Sequence, residues 1–406
     1  MNTSLNQEPV LNRENTEKKP RIEVIDALRG FAILGIGITH ILNSFYTNNL
    51  PPGYEYLYNK GLNHILLELD LKLIVGKFFT LFCFLFGLSF SIQKTGFITK
   101  SGSFQAWFLK RMVILLLIGF CHYVFWRGDI LITYGVFGIF LLVLDPLPKS
   151  WKIILMVLLT LAIPTVLIHQ LELYRNWIQG VRQGELSKTK LFFDLIQKGS
   201  LWETIKYNFL FLSDKFEYLL NSGRLFSTLG LFLLGSLVGY YGLFNDFEKK
   251  REQFLGLFKW TSLIWISIVL LNFLSQRFFK KNLSNQAGQD LYFIENEINN
   301  LAQCAWYVFG FCSLYYLPRI QKVLSFFIPI GKMALSNYLF QTLVCVFIFY
   351  SFGLGLFLKT SVFQNLILAI LIFGLEYYLS NLWLKNHKYG PIEGFWRLCT
   401  DWKGWK

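Results

Sequence analysis

Apolar runs about as long as a lipid bilayer is thick recur along this chain of 406 residues. A helix of about 20 apolar residues crosses the roughly 30 Å of hydrocarbon in a bilayer, and it satisfies its backbone hydrogen bonds internally. The sequence predicts about ten such helices, near residues 27–46, 73–92, 107–126, 129–145, 151–171, 225–244, 257–274, 301–317, 331–350 and 362–384. We therefore expect an all-α fold, a polytopic integral membrane helical bundle.

Composition and charge agree with this class of protein. Apolar residues make up 54% of the chain and aromatic residues 18%, which is typical of a membrane protein. A net charge of +14 would suit a nucleic-acid partner, yet the basic residues cluster at alternate ends of the predicted helices. This distribution follows the positive-inside rule. It predicts a protein of the cell membrane with both termini in the cytoplasm, with the lipid bilayer as its partner and no nucleic acid.

The predicted helices divide the chain into four parts. Residues 1–24 are polar and charged and are expected to form a disordered cytoplasmic tail. Residues 25–171 hold helices 1–5, and residues 172–224 form an external insertion. Residues 225–406 hold helices 6–10 and a cytoplasmic C-terminal segment.

The external insertion contains an apolar stripe at helical spacing, formed by Trp202, Ile205, Phe209, Leu212, Phe216 and Leu219. Charged residues lie off this stripe, so the segment is predicted to be an amphipathic helix resting in the membrane interface. An eleventh span is the rival interpretation, but the charged cluster at 214–217 argues against it. The helix either covers the outer rim of the bundle or forms a lid over a site.

Three ionisable residues, Asp26, Arg29 and His40, lie in or beside the first apolar run. A charged side chain at bilayer depth costs about 2.5–3.5 kcal/mol on insertion scales, so such residues usually pair or face a polar cavity. Asp26 and Arg29 are neighbours on a helix surface, and His40 follows about three turns, or roughly 16 Å, further along nearly the same face. One helix face would therefore carry an ion pair at its cytoplasmic end and an imidazole near its outer end.

Five motifs connect the chain with a known family. They are Arg21 followed by DALRGFA at 26–32, GKFFTLFCFLFG at 76–87, His122 with GDIL at 128–131 and Tyr134, GKMALSNY at 331–338, and GPIEGFWR at 390–397. In these motifs the chain resembles the YeiB family of uncharacterised bacterial membrane proteins. The resemblance covers nearly the whole chain, including that family's C-terminal domain of unknown function.

The first helix is also similar to that of two groups of transmembrane acyltransferases. One group O-acetylates surface glycans, and the other contains the lysosomal heparan-glucosaminide N-acetyltransferases. The resemblance implies that an acyl group passes from cytoplasmic acyl-CoA to a sugar on the far side of the membrane. The glycan O-acetyltransferases share Leu-Arg-Gly, here residues 28–30, and place a functional His at the spacing of His40. Most YeiB-like sequences carry Asn at that position.

Acyl transfer needs a base or a nucleophile, and a neutral imidazole can serve as either. We expect His40 and His122 near the outer ends of their helices, with Asp129 beside His122 and able to hold one ring nitrogen. These three residues are the predicted catalytic group. Two of them have a structural alternative, because Asp129 suits a helix N-cap and His122 can simply satisfy a backbone carbonyl.

Five further residues are predicted to bind substrate or cofactor. Arg29 suits the pyrophosphate of acyl-CoA or an anionic lipid, although its pairing with Asp26 can equally serve only to permit burial. Lys77 either extends to the outer interface or faces a cavity. Asn337 suits an interhelical hydrogen bond, and Glu376 has no cation within one helical turn. The six cysteines lack the spacing of a metal site, so no metal is expected.

The sequence therefore predicts a transmembrane acyltransferase that takes acyl-CoA as co-substrate and acts on an extracytoplasmic glycan or lipid-linked acceptor. The alternative is a transporter or permease for a small solute, although no internal repeat with broken helices is recognisable. A non-catalytic membrane scaffold is the third interpretation, and the intramembrane ionisable residues make it the least attractive. The sequence defines no oligomeric state.

Overall fold

The computed structural model describes residues 21–46, 61–97, 102–171, 174, 188–278 and 286–400. Most of the tail predicted at 1–24 lies outside these ranges, and so does part of the insertion predicted at 172–224. All regular secondary structure in the described ranges is helical, without a strand. The predicted all-α fold is thus confirmed.

The helices are labelled α1–α18 in chain order. Before the insertion lie α1 (Glu23–Leu42), α2 (Gly61–Leu73), α3 (Lys77–Phe97), α4 (Phe104–Phe125), α5 (Leu131–Leu144), α6 (Lys149–Thr160) and α7 (Ile163–His169). The insertion holds α8 (188–198), α9 (Leu201–Leu210) and α10 (Leu212–Asn221). After it follow α11 (Arg224–Tyr240), α12 (Arg251–Phe278), α13 (Gln286–Tyr315), α14 (Pro318–Leu324), α15 (Phe327–Lys332), α16 (Ala334–Phe349), α17 (Val362–Leu384) and α18 (Pro391–Thr400).

Five segments of the described chain are long and apolar enough to cross a membrane, namely α1, α2 continued by α3, α4, α12 and α17. The count rises to seven if the bent pairs α6–α7 and α10–α11 each form one span. Helices α5 and α16 are apolar but shorter. The chain has the character of a polytopic membrane protein, whereas the predicted number of about ten spans is not confirmed.

Two of these apolar segments are sharply bent. Helices α6 and α7 meet at 53°, and the residue between them, Ala162, has a left-handed φ of 50°. Helices α10 and α11 meet at 69° around Gly223, whose φ is 68°. Alanine seldom adopts this conformation, whereas glycine does so without a steric penalty. The single helix predicted over 151–171 is therefore broken in its middle.

Helix α1 occupies a central position, in contact with α3, α13, α15, α16 and α17. Its crossing with α15 depends on two glycines. A Cβ on Gly30 would lie 2.1 Å from the backbone oxygen of Phe327, and one on Gly331 would lie 1.8 Å from that of Asp26. Small residues at a crossing let two helix backbones approach closely. Two of the motifs that are distant in sequence, at 26–32 and 331–338, therefore meet at this crossing.

The two ends of the bundle can be named after α1 as the Asp26 end and the His40 end. Because successive long helices reverse direction, the C-terminus of α4 and the N-termini of α5 and α11 lie at the His40 end. At the Asp26 end, α18 packs against α4 and α16. There the guanidinium of Arg111 lies 5.0 Å from the ring centroid of Trp107 and 4.0 Å from that of Trp396.

The apolar stripe of the insertion is divided between α9 and α10, which break at Phe211. The single amphipathic helix predicted there is therefore two helices. Trp202, Phe209 and Phe216 are 72%, 59% and 57% exposed, so the stripe points away from the bundle. The charged side of α10 faces the protein instead of water, because its polar groups form contacts with the turn after α4.

Candidate functional site

The turn that joins α4 to α5 carries Asp129. Its carboxylate caps α5 and accepts hydrogen bonds from the backbone N–H groups of Leu131 at 3.0 Å and Ile132 at 2.9 Å. Oδ1 of the same carboxylate lies 2.8 Å from Nδ1 of His122. The helix-capping role and the contact with His122 are therefore found together in one side chain.

Both ring nitrogens of His122 have protein partners. Nδ1 faces Asp129, and Nε2 lies 2.8 Å from Oγ1 of Thr342 in α16. Because a carboxylate only accepts hydrogen bonds, we assign the imidazole proton to Nδ1, which leaves Nε2 to accept a hydrogen bond from the Thr342 hydroxyl. All three side chains are buried. The contact ties the turn after α4 firmly to α16.

Sequence reasoning did not assign Thr342 to the site, and it used Tyr338 only indirectly, as part of a motif. The Tyr338 hydroxyl accepts a hydrogen bond from the backbone N–H of Ile130 at 3.2 Å, and its ring centroid lies 5.0 Å from that of His122. Tyr338 and Thr342 are four residues apart in α16 and therefore share one face of the helix. Polar side chains at this spacing in an otherwise apolar helix are the signal that identifies them.

His40 and His122 lie against the same indole, that of Trp126. The Trp126 ring centroid is 4.7 Å from that of His40 and 5.8 Å from that of His122. His40 is half-buried, and its ring also contacts Phe45 at 5.8 Å. Across the described part of the chain, no side chain or backbone group forms a hydrogen bond with the His40 ring. Of the two imidazoles, His40 is thus the one whose nitrogens remain for a ligand.

Trp126 is fixed from two sides. Its Nε1–H donates a hydrogen bond to the backbone oxygen of Phe45 at 3.1 Å. That oxygen is aimed by a turn in which Ser44 and Phe45 have φ values of 52° and 58°, a strained conformation for residues other than glycine. On the other side, a Cβ on Gly128 would lie 2.2 Å from the Trp126 ring. The glycine before Asp129 is therefore needed to leave room for the indole.

Helix α10 covers this turn through its charged residues. Lys215 donates a hydrogen bond to the backbone oxygen of Asp129, and its Nζ lies 3.8 Å from Oδ2 of the same residue. Asp214 accepts a hydrogen bond from Arg127 and another from Lys188, each at 2.9 Å. The hydrogen bond to Asp214 raises the pKa of the Lys188 amine. These contacts fix α10 against the turn that carries Asp129.

The predicted pair of Asp26 and Arg29 forms at the opposite end of α1. Nη1 of Arg29 lies 2.6 Å from Oδ1 of Asp26, and its Nη2 donates to Oγ of Ser89 at 2.6 Å. Arg21 contacts the same carboxylate, with Nη2 at 3.0 Å from Oδ1. Asp26 is buried, whereas the Arg21 side chain is 45% exposed. The sequence identified the pair but did not assign Arg21 to it.

Lys77 lies at the junction between α2 and α3. Its side chain is buried, and its Nζ donates a hydrogen bond to the backbone oxygen of Leu71 at 2.9 Å. Asp70 interacts with it electrostatically and accepts a hydrogen bond from Thr39 at 2.7 Å. Lys77 therefore secures the junction between α2 and α3 and is not gathered around Trp126.

Asn337 and Glu376 lie between α16 and α17. Asn337 donates to the backbone oxygen of Ile330 at 3.1 Å and to Oγ of Ser380 at 3.0 Å. Oε2 of Glu376 accepts a hydrogen bond from Gln341 at 3.1 Å, while its Oε1 has no hydrogen-bond partner among the described residues. Of the predicted residues, His40, His122 and Asp129 are thus brought together, and the others lie elsewhere in the bundle.

The described residues contain no group of three or more His, Cys, Asp or Glu side chains placed to hold a metal ion. The chemistry available around Trp126 is that of imidazole, carboxylate and hydroxyl groups. A base at His40 and a rigid supporting network at His122 suit proton transfer from a hydroxyl that enters from the His40 end.

Comparison with known proteins relates the chain to several whose activity is not stated. Residues 238–403 match a family described as a protein of unknown function, DUF418. Over 94% of both chains, the sequence is 27% identical to the uncharacterized protein YxaH of Bacillus subtilis (strain 168). It is also 27% identical to the uncharacterized protein YeiB of Escherichia coli (strain K12), over 93% of this chain and 95% of that one.

A third relative is an uncharacterized 39.9 kDa protein in the amylase 3' region of Bacillus acidopullulyticus, 24% identical over 94% of each chain. No solved structure matches the chain. The similarity therefore extends along nearly the whole sequence, and none of the three relatives carries a name that states a reaction or a substrate.

Proposed function

The chain belongs to the YeiB family of membrane proteins, and from this premise we propose that it is a membrane acyltransferase. It moves an acyl group from cytoplasmic acyl-CoA to a glycan or lipid-linked acceptor on the outer side of the cell membrane. Both termini lie in the cytoplasm, and the His40 end lies outside. The proposal rests on the imidazole of His40, which forms no hydrogen bond within the described residues. It contacts the same indole as His122, which is itself paired with Asp129.

In this mechanism His40 is the general base. Its free ring nitrogen takes the proton of the acceptor hydroxyl while the oxygen attacks the thioester carbonyl of the acyl donor. The carbon–sulfur bond breaks, CoA leaves as a thiolate, and the protonated imidazole returns its proton to the sulfur. General base catalysis of this kind contributes about 10²–10⁴-fold to a rate.

His122 and Asp129 act by positioning. Both nitrogens of His122 are held by protein groups at 2.8 Å, so the ring fixes the turn after α4 against α16. Trp126 lies at the start of that turn, and its indole packs against the ring of His40. The imidazole of His40 thereby keeps one orientation, which lowers the entropic cost of reaching the reactive geometry.

The Asp26 end supports binding of the acyl donor. Arg29 contacts Asp26 and Ser89, whereas Arg21 shares the carboxylate of Asp26 and has a partly exposed side chain. A planar guanidinium binds phosphate oxygens in pairs, so this basic end suits the diphosphate of acyl-CoA. The thioester then extends along α1 toward His40.

The test is release of CoA thiol from acyl-CoA by the purified full-length protein in proteoliposomes, with sugars supplied as acceptors. His40→Ala should lower the rate at least about a hundredfold and leave acyl-CoA binding unchanged. His387→Ala is the matched control, because the His387 ring also contacts a tryptophan, Trp383, with centroids 4.0 Å apart, but His387 is exposed outside the site. His40→Asn restores the residue expected in relatives.

Full activity in His40→Asn would assign the proton transfer to another group. If the wild-type protein neither binds nor cleaves any acyl-CoA, the proposed acyl transfer is wrong.

The bent pairs α6–α7 and α10–α11 favour a transporter as the second candidate function, since broken helices often form transporter sites. Accumulation of a solute in the same proteoliposomes without acyl-CoA would then establish that function.

A further inference from the structure

Arg224 is a cation at the His40 end that the mechanism above leaves unused. It is the first residue of α11 and follows the bend at Gly223. Its guanidinium carbon lies 4.6 Å from the ring centroid of Phe79 in α3 and 5.5 Å from that of Tyr218 in α10. Contact with two aromatic rings restricts the orientation of the planar group.

Among the described residues, no carboxylate lies within 4.0 Å of the Arg224 guanidinium, the distance that defines a salt bridge. The guanidinium also donates no hydrogen bond to any described residue. Glu297 of α13 interacts with it electrostatically but stays beyond that distance. Three cations around the turn after α4 do have carboxylate partners, since Arg127 and Lys188 contact Asp214 and Lys215 contacts Asp129. Arg224 therefore stands out as an oriented cation with its hydrogen-bond donors unused.

The neighbours of Arg224 connect it with the proposed base. Arg224 interacts electrostatically with His40 of α1 and with Tyr134 of α5. It is half-buried, at the end of an apolar bundle where an uncompensated charge is costly. An anion that binds there would offset this cost, at the same end of the bundle as the His40 imidazole.

We propose that Arg224 binds an oxyanion, a phosphate or carboxylate group, carried by the molecule that His40 acts on. The assignment of that anion to the acceptor rests on the proposed acyl transfer, whereas the anion site itself does not. Arg224 holds the anionic group bidentately, and the rings of Phe79 and Tyr218 flank its guanidinium. The acceptor is accordingly an acidic sugar, a sugar phosphate or a lipid with a phosphate headgroup, and not a neutral glycan.

Binding can be measured without an acyl donor, by the thermal unfolding midpoint of the full-length protein in a neutral detergent. Three pairs of probes distinguish the sources of the anion: galactose 1-phosphate against galactose, glucuronic acid against glucose, and short-chain phosphatidylglycerol against phosphatidylcholine with the same chains. We expect at least one anionic member to stabilise the protein while its neutral partner does not.

Arg224→Gln should weaken the binding of that probe at least about tenfold, since a hydrogen bond to a charged group is worth about 1.5–3 kcal/mol. Arg224→Lys keeps the charge without the planar fork and should give an intermediate affinity, and it replaces the Gln variant if that one fails to fold. Arg111→Gln is the matched control, because Arg111 also lies between two aromatic rings, at the Asp26 end. It should bind the probe as the wild type does.

The proposal is overturned if no anionic probe stabilises the wild-type protein more than its neutral partner. It is also overturned if both Arg224 variants bind the probe with unchanged affinity. Because no acyl-CoA is present, a positive result remains valid even if acyl transfer is disproved, and the anion would then belong to a transported solute. Conversely, active enzyme that binds only neutral sugars would retain the proposed function and refute the anion site.

Discussion

His122 and Asp129 face each other across the turn between α4 and α5, with Nδ1 and Oδ1 2.8 Å apart. The same carboxylate caps α5 through the backbone N–H groups of Leu131 and Ile132. One buried side chain therefore fixes both the start of a helix and the tautomer of an imidazole. A change at Asp129 is expected to affect fold and site together.

Asp129→Ala should lower the free energy of unfolding by about 2–4 kcal/mol, since it removes a helix cap and leaves a buried imidazole N–H without an acceptor. Chemical unfolding in detergent measures this loss. Ser361→Ala is the control, because Ser361 caps α17 through the backbone N–H of Gln364 without contacting a histidine. It should cost only about 1 kcal/mol, and an equal loss in both variants would show that the contact with His122 adds nothing.

Gly128→Ala should displace the Trp126 indole, because the new Cβ would lie 2.2 Å from the ring. Overpacking of this kind costs about 1–3 kcal/mol, and the fluorescence of the displaced indole should change as well. Gly374→Ala is the comparison, since Gly374 lies in α17 with nothing within 4 Å of the added Cβ. If Gly128→Ala proves as harmless as Gly374→Ala, Trp126 is not held in the position described.

Asp26 and Arg29 should behave as one energetic unit, because each loses a charged partner when the other is replaced, although Arg21 still contacts Asp26 in Arg29→Ala. Arg29→Ala and Asp26→Ala should each lower stability, and the double variant should cost less than their sum by about 0.5–3 kcal/mol. Thermal unfolding of the four proteins measures the difference. Strict additivity would mean that the contact at 2.6 Å carries no coupling energy.

The orientation in the membrane can be tested by cysteine labelling with a reagent that does not cross the bilayer. Lys198→Cys in α8 should react in intact cells, and Lys249→Cys should react only after the cells are opened. Both lysines are exposed in the structure. The exposed Cys121 and Cys399 must first be replaced to remove background labelling. The reverse pattern would invert the proposed topology.

Helices are the part of this fold that local sequence predicts well. Apolar runs such as 107–126 and 362–384 became α4 and α17 almost without change, because a run of this length must form its backbone hydrogen bonds within itself. The ion pair of Asp26 and Arg29 was equally predictable, since residues three apart in a helix are neighbours. The bends at Ala162 and Gly223 were not predicted, because a break in a helix is decided by what packs against it.

The chain alone determined the helical class, the ion pair in α1 and the residue types that can transfer a proton. Only the tertiary structure decided that Thr342 reaches His122 from a helix 220 positions away, and that His40 and His122 lie against the same indole. It also decided that α10 turns its charges inward and that Arg224 is left without a carboxylate in the described residues. Periodicity describes one helix at a time, whereas a site depends on which faces of several helices meet, and that is fixed by packing across the whole bundle.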